Sequence, residues 1–135
     1  MKLKLVAVSI GIAGLLITSS CATAPKPLDP GEVRLLGMVV PEKENIKLHS
    51  LFIVSFSFEA EGEPEIKSAC FYFADDGPHC YRVTDVNYGL RGTIKVQVRN
   101  SNAGAQLLRG YVVYVRDGKV QRSNMVSTHF RTAAQ

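Results

Sequence analysis

Three cysteines, three histidines and one aspartate-rich turn are the residues whose types could do chemistry in this chain. Cys70 and Cys80 stand with nine residues between them, and His79 lies beside the second. Such a set serves a disulfide, a redox pair, or a metal site completed by the histidine. Redox pairs stand as Cys-x-x-Cys beside a helix, and the wider gap does not resemble that. His49, His79 and His129 are scattered, no two at i, i+2 or i, i+4, so nothing marks a zinc site. Asp75-Asp76-Gly77 lacks the further alternating ligands and closing glutamate of a calcium loop. No glycine-rich phosphate loop and no strand-turn-helix nucleophile motif is present. The expectation is a protein with no catalytic residue, no metal and no cofactor, which works by binding.

Cys21 stands apart from the other two. Lys2 and Lys4 open the chain, Leu5 to Ile17 is an uninterrupted apolar and small run, and Thr18-Ser19-Ser20 leads into the cysteine. Those thirteen residues span about 20 Å as a helix, short of a bilayer core of about 30 Å. The length suits the apolar region of a signal peptide.

This stretch resembles a bacterial lipoprotein precursor, with Ser19 and Ser20 in the small positions and Cys21 in the lipidated one; Thr18 stands where that pattern has an aliphatic residue. The resemblance implies a signal peptide over residues 1–20 and a diacylglycerol thioether and acylated amino group on Cys21. It places the mature protein in a cell envelope. Ala22, in place of an aspartate, points to the outer membrane, facing the periplasm or the cell surface. Ordinary cleavage at Ala22-Thr23-Ala24 or Ser20-Cys21-Ala22 is the alternative.

The oxidising compartment so implied favours a disulfide between Cys70 and Cys80. A hairpin centred on Asp75 sets the two opposite each other, within bonding range. Closing a loop of this size stabilises a fold by about 3 kcal/mol in the chain-entropy model.

The elements that must position these residues are strands. Pro25, Pro27 and Pro30 make residues 21–31 a semi-extended tether, about 30 Å long. Residues 32–135 suffice for one domain. Alternation of period two predicts strands at Glu32–Val40, Phe52–Phe58, Ile66–Phe73, Cys80–Val83, Thr93–Arg99, Leu107–Arg116 and Lys119–Arg131. Phe52, Val54, Phe56 and Phe58 share a face opposite Ser55 and Ser57, which marks a half-buried strand. Seven strands without an amphipathic helix predict an all-β antiparallel sandwich. The sequence from Tyr111 through Asp117-Gly118 to Phe130 resembles the final hairpin of immunoglobulin-like and fibronectin-type bacterial domains, which implies that architecture.

Charge divides the chain. From Cys21 to Asp85 eleven acidic residues face six basic ones; from Val86 onward eight basic residues face only Asp117. Arg99, Arg109, Arg116 and Arg122 lie on the last strands and are the candidate basic face, fit for lipid phosphates or an acidic protein. The plainer reading is mutual neutralisation with Glu59, Glu61, Glu63 and Glu65 on neighbouring strands. The expected partners are the membrane, through the lipid, and another envelope protein, with sheet edges open to strand addition. Nucleic acid does not fit that compartment. A passive accessory of an envelope complex is the second reading, and a periplasmic enzyme or small-ligand binder the third. A pocket uniting a histidine with a carboxylate or a serine would favour the last.

Overall fold

In a computed structural model of the protein, residues 26–44, 46–100 and 104–132 are described. They form nine strands and no helix: β1 (Val33–Val39), β2 (Leu51–Ala60), β3 (Glu65–Phe73), β4 (Asp76–Arg82), β5 (Asp85–Asn87), β6 (Gly92–Arg99), β7 (Ala105–Arg116), β8 (Lys119–Arg122) and β9 (Val126–Arg131). One sheet has the order β1-β2-β6-β5. The other has the order β4-β3-β7-β8, with β9 also paired to β7. The chain crosses between sheets after β2, β4 and β6, so the sandwich is antiparallel and its first sheet carries the immunoglobulin-like strand order.

The count is nine rather than seven for two reasons. Asp85–Asn87 is too short, and too polar, to announce itself by alternation. The stretch expected as one strand from Lys119 to Arg131 is broken at Ser123, whose N–H and Oγ are bonded to Val112, and at Asn124. The Asn124 amide accepts from the Leu35 N–H at 2.8 Å and donates to its carbonyl at 3.0 Å. β8 and β9 therefore pair with opposite ends of β7.

The alternating phenylalanines form the core. Phe52, Val54, Phe56 and Phe58 are all buried, and Phe56 is 0% exposed. Phe56 stacks on Phe71 of the facing sheet at 5.7 Å between ring centres. A Cβ on Gly110 would stand 3.1 Å from both rings, so glycine lets the two sheets close there. Phe52, Phe130 and Phe73 continue the aromatic layer. Full burial of one such side chain stabilises by about 1.5–3 kcal/mol.

The tether expected over residues 21–31 lies against the domain wherever it is described. Arg34 donates to the Lys26 carbonyl at 2.5 Å and to that of Pro27 at 3.2 Å. The Asp29 N–H is capped by Glu32 at 2.8 Å, and its carboxylate meets Arg116 at 3.8 Å. The same Arg34 guanidinium meets Glu59 at 3.3 Å, so residues 26–31 pack against the domain.

Candidate functional site

Cys70 and Cys80 face each other across β3 and β4 and are joined by a disulfide with a Cα–Cα distance of 4.0 Å. The turn itself pairs Phe73 with Asp76, which would bring His79 opposite Cys70. A register shift between Phe71 and Phe73 takes up one residue, and Cys80 arrives instead. Gly77 makes that shift possible: a Cβ there would stand 2.6 Å from the Phe71 carbonyl oxygen.

The disulfide lies on the outer face of the second sheet. Strand pairing places Tyr111 beside Cys70, and Arg109 beside Tyr72. Tyr111 is only 5% exposed although it points away from the core. Its cover is Arg122, whose guanidinium carbon sits 4.4 Å from the ring centre and whose Nη2 donates to the phenol oxygen at 3.0 Å. That hydrogen bond is the largest cause raising the Arg122 pKa above its ordinary range, with the nearby Tyr72 adding to it. Arg109 lies over the Tyr72 ring at 5.0 Å and donates to the Ala74 carbonyl at 3.2 Å. Among the described residues neither arginine has a carboxylate within ion-pair distance. Two guanidinium groups are thus held over tyrosine rings, Arg109 half-exposed and Arg122 exposed. Such a pair can receive a carboxylate or phosphate in bidentate fashion, with little rotamer freedom left to lose.

The four arginines expected on one face are divided by the fold. Arg109 and Arg122 come together. Arg99, on β6, belongs to the other sheet and donates to the His49 carbonyl at 2.7 Å. Arg116, at the end of β7, is taken up by Asp29. Period-two alternation relates residues along a single strand only; which strands share a sheet is a matter of topology. The sequence reading passed over Tyr72 and Tyr111. Their signal was present: Tyr72 is out of phase with Phe71 and Phe73, and Tyr111 is in phase with Arg109.

Neutralisation inside the chain is limited. The acidic β2–β3 end is served by Arg34 and Lys67, and Arg116 is the one basic residue after Val86 that pairs with an acid among the described residues.

Two concavities are present elsewhere. One of 270 Å³ is lined by Lys43, Glu44, His129, Phe130 and Arg131. It brings His129 near Glu44, and among the described residues no hydrogen bond joins the two and no serine or cysteine lines the cavity. The other, of 880 Å³, lies beside β6. Among the described residues no three metal-ligating side chains converge, and no helix is long and apolar enough to cross a membrane. Cys21 and the signal segment lie outside the described residues. No protein-family profile matches the chain, and neither does any curated protein.

Proposed function

We propose that the protein is a lipid-anchored envelope protein that works by binding rather than catalysis, and that the outer face of its second sheet receives an acidic segment of another envelope protein. The observation that carries this reading is the Arg109–Tyr72 and Arg122–Tyr111 pairs, which have no carboxylate partner among the described residues. Tyrosine and arginine are the residues enriched where protein interfaces concentrate their binding energy.

An acidic protein fits better than a membrane surface. Asp29 holds the tether at Arg116, so the lipid end of the chain leaves from that end of the sandwich. Arg109 lies seven residues back along β7, roughly 23 Å away at the rise of an extended strand. Residues 21–25, fully extended, reach at most roughly 17 Å. The face therefore runs along the side of the domain, away from the anchored end.

The test uses a glutamate-rich peptide and the full chain in detergent. Binding should weaken between 0.1 and 1 M salt, as the screening length falls from about 10 Å to about 3 Å. Arg109→Glu with Arg122→Glu should reduce it about tenfold or more, because attraction becomes repulsion, while Arg99→Glu leaves it nearly unchanged. Equal losses from both reversals, or none, would reject the face. The anchor is tested separately: Cys21→Ser should remove acyl chains from the intact mass and release the protein from membranes. An unmodified amino terminus at Thr23 or beyond in the wild type would reject it.

A further inference from the structure

β5 is three residues long and pairs only with Thr93, Ile94 and Lys95 of β6. Beyond Lys95 no described strand pairs with that edge of β6, although β4 approaches it. The direction of the backbone groups there follows from the end of the strand. The Asn100 N–H donates to Ser50, and its carbonyl accepts from His49, so Asn100 faces β2. Successive residues of a strand turn their N–H and C=O to opposite sides. Gln97 and Arg99 therefore turn theirs away from β2, to the side on which β5 pairs.

The 880 Å³ cleft reaches that side, where Tyr81, Arg82, Thr84 and Asp85 line it. Ile53 and Ser55 of β2 line it beside Gln97 and Lys95, so it also spreads over the outer face of the first sheet. Tyr81 of β4 provides an apolar wall. Arg82 and Lys95 on the rim are matched by Glu42 and Asp85.

We propose that this edge is a strand-addition site: an extended peptide with one apolar face pairs with Gln97 and Arg99 and packs that face on Tyr81. Four main-chain groups stand ready to bond, which is the source of affinity in strand addition. Because the rim charges cancel, binding here is nearly independent of salt. That separates the site from the arginine face, and neither its truth nor its failure depends on that face or on the anchor.

The probe is a synthetic octapeptide of alternating valine and threonine with a glutamate at each end. Residue-resolved amide hydrogen exchange is followed on the full chain in detergent. In the free protein the Gln97 and Arg99 amides should exchange quickly and the Lys95 amide slowly. Saturating peptide should slow Gln97 and Arg99 about tenfold or more, equally at low and high salt. Gln97→Pro removes the donor without touching a bond to β2, a position where an edge tolerates proline, and should weaken the peptide about tenfold. Three results overturn the proposal: no slowing at Gln97 and Arg99 in the wild type, slowing spread equally over the β1 and β9 edges, or protection that rises with protein concentration without peptide. The last would make a second copy of the chain the occupant.

Discussion

Along one long side of the sandwich β1 approaches β9, and the seam between them is bonded shut. Asn124 takes both backbone groups of Leu35. Farther along, the Arg131 N–H donates to Lys43, and Ile46 forms a bridge with Thr132. On the other side β5 begins only at Asp85, opposite Lys95, and β6 runs on to Arg99 without a paired strand, while β4 is held to the second sheet by its pairing with β3 and by the disulfide. An open strand edge invites unwanted pairing, and folds usually cover, charge or bend it. Here one seam is covered by side-chain and main-chain bonds. On the other the disulfide secures β4 only within its own sheet, and the difference marks the side on which an incoming strand finds room.

Both sides depend on the same aromatic layer, so the largest expected effect falls on it. Phe56→Ala should cost about 3–5 kcal/mol and should loosen both seams together. Ser57→Ala, on the opposite face of β2, should cost less than about 0.5 kcal/mol. Chemical denaturation of the two variants compares them, and equal losses would mean that β2 is in the wrong register.

Next is the staple on the open side. Removing the disulfide through Cys70→Ala should cost about 3 kcal/mol under oxidising conditions and little under reducing ones. Amide exchange should rise first in β4, leaving the β1–β9 seam intact. Free-thiol titration that finds both cysteines reduced in the folded protein would remove the contrast between the sides.

On the closed side, Asn124→Ala strips Leu35 of both partners. Leaving a buried main-chain group unsatisfied costs about 1–3 kcal/mol. Thermal unfolding should show a loss in that range, with faster exchange at Leu35 and no change at Gln97. An unchanged exchange rate at Leu35 would show that water replaces the amide and that the seam is not sealed by it.

The smallest effect lies at the turn after β5. The Tyr88 hydroxyl donates to the Pro64 carbonyl at 2.5 Å. Burial first, then Glu63 and Glu65, raise its pKa above the ordinary 10.0. Because the folded value is the higher one, the unfolded chain loses this proton first. The contribution is fully present below pH 10 and fades as pH rises through the folded value. Tyr88→Phe should flatten the alkaline part of the stability profile, and ultraviolet titration should show one late-ionising phenol missing. An unchanged profile would mean that Tyr88 does not tie the open side to the β2–β3 turn.

Period-two alternation is a property of a strand that any sheet must respect. It sufficed for the sandwich class, the buried set from Phe52 to Phe58, and most strand positions. The pairing of Cys70 with Cys80 was likewise legible, because a hairpin brings near neighbours in sequence together. What alternation cannot carry is the relation between strands far apart in the chain. Only the topology placed Arg99 on one sheet and Arg109 and Arg122 on the other, because strand order is decided by how two apolar faces close on each other. Only packing turned Asn124, expected inside a strand, into the bond that seals a seam, since its partner, Leu35, is remote in sequence. Arg116, free on its strand by pattern, is occupied by Asp29 because the tether folds back along that edge. The open edge at Gln97 follows from the same cause: it exists because the neighbouring strand begins only at Asp85, and nothing in the residues of β6 itself records where β5 begins.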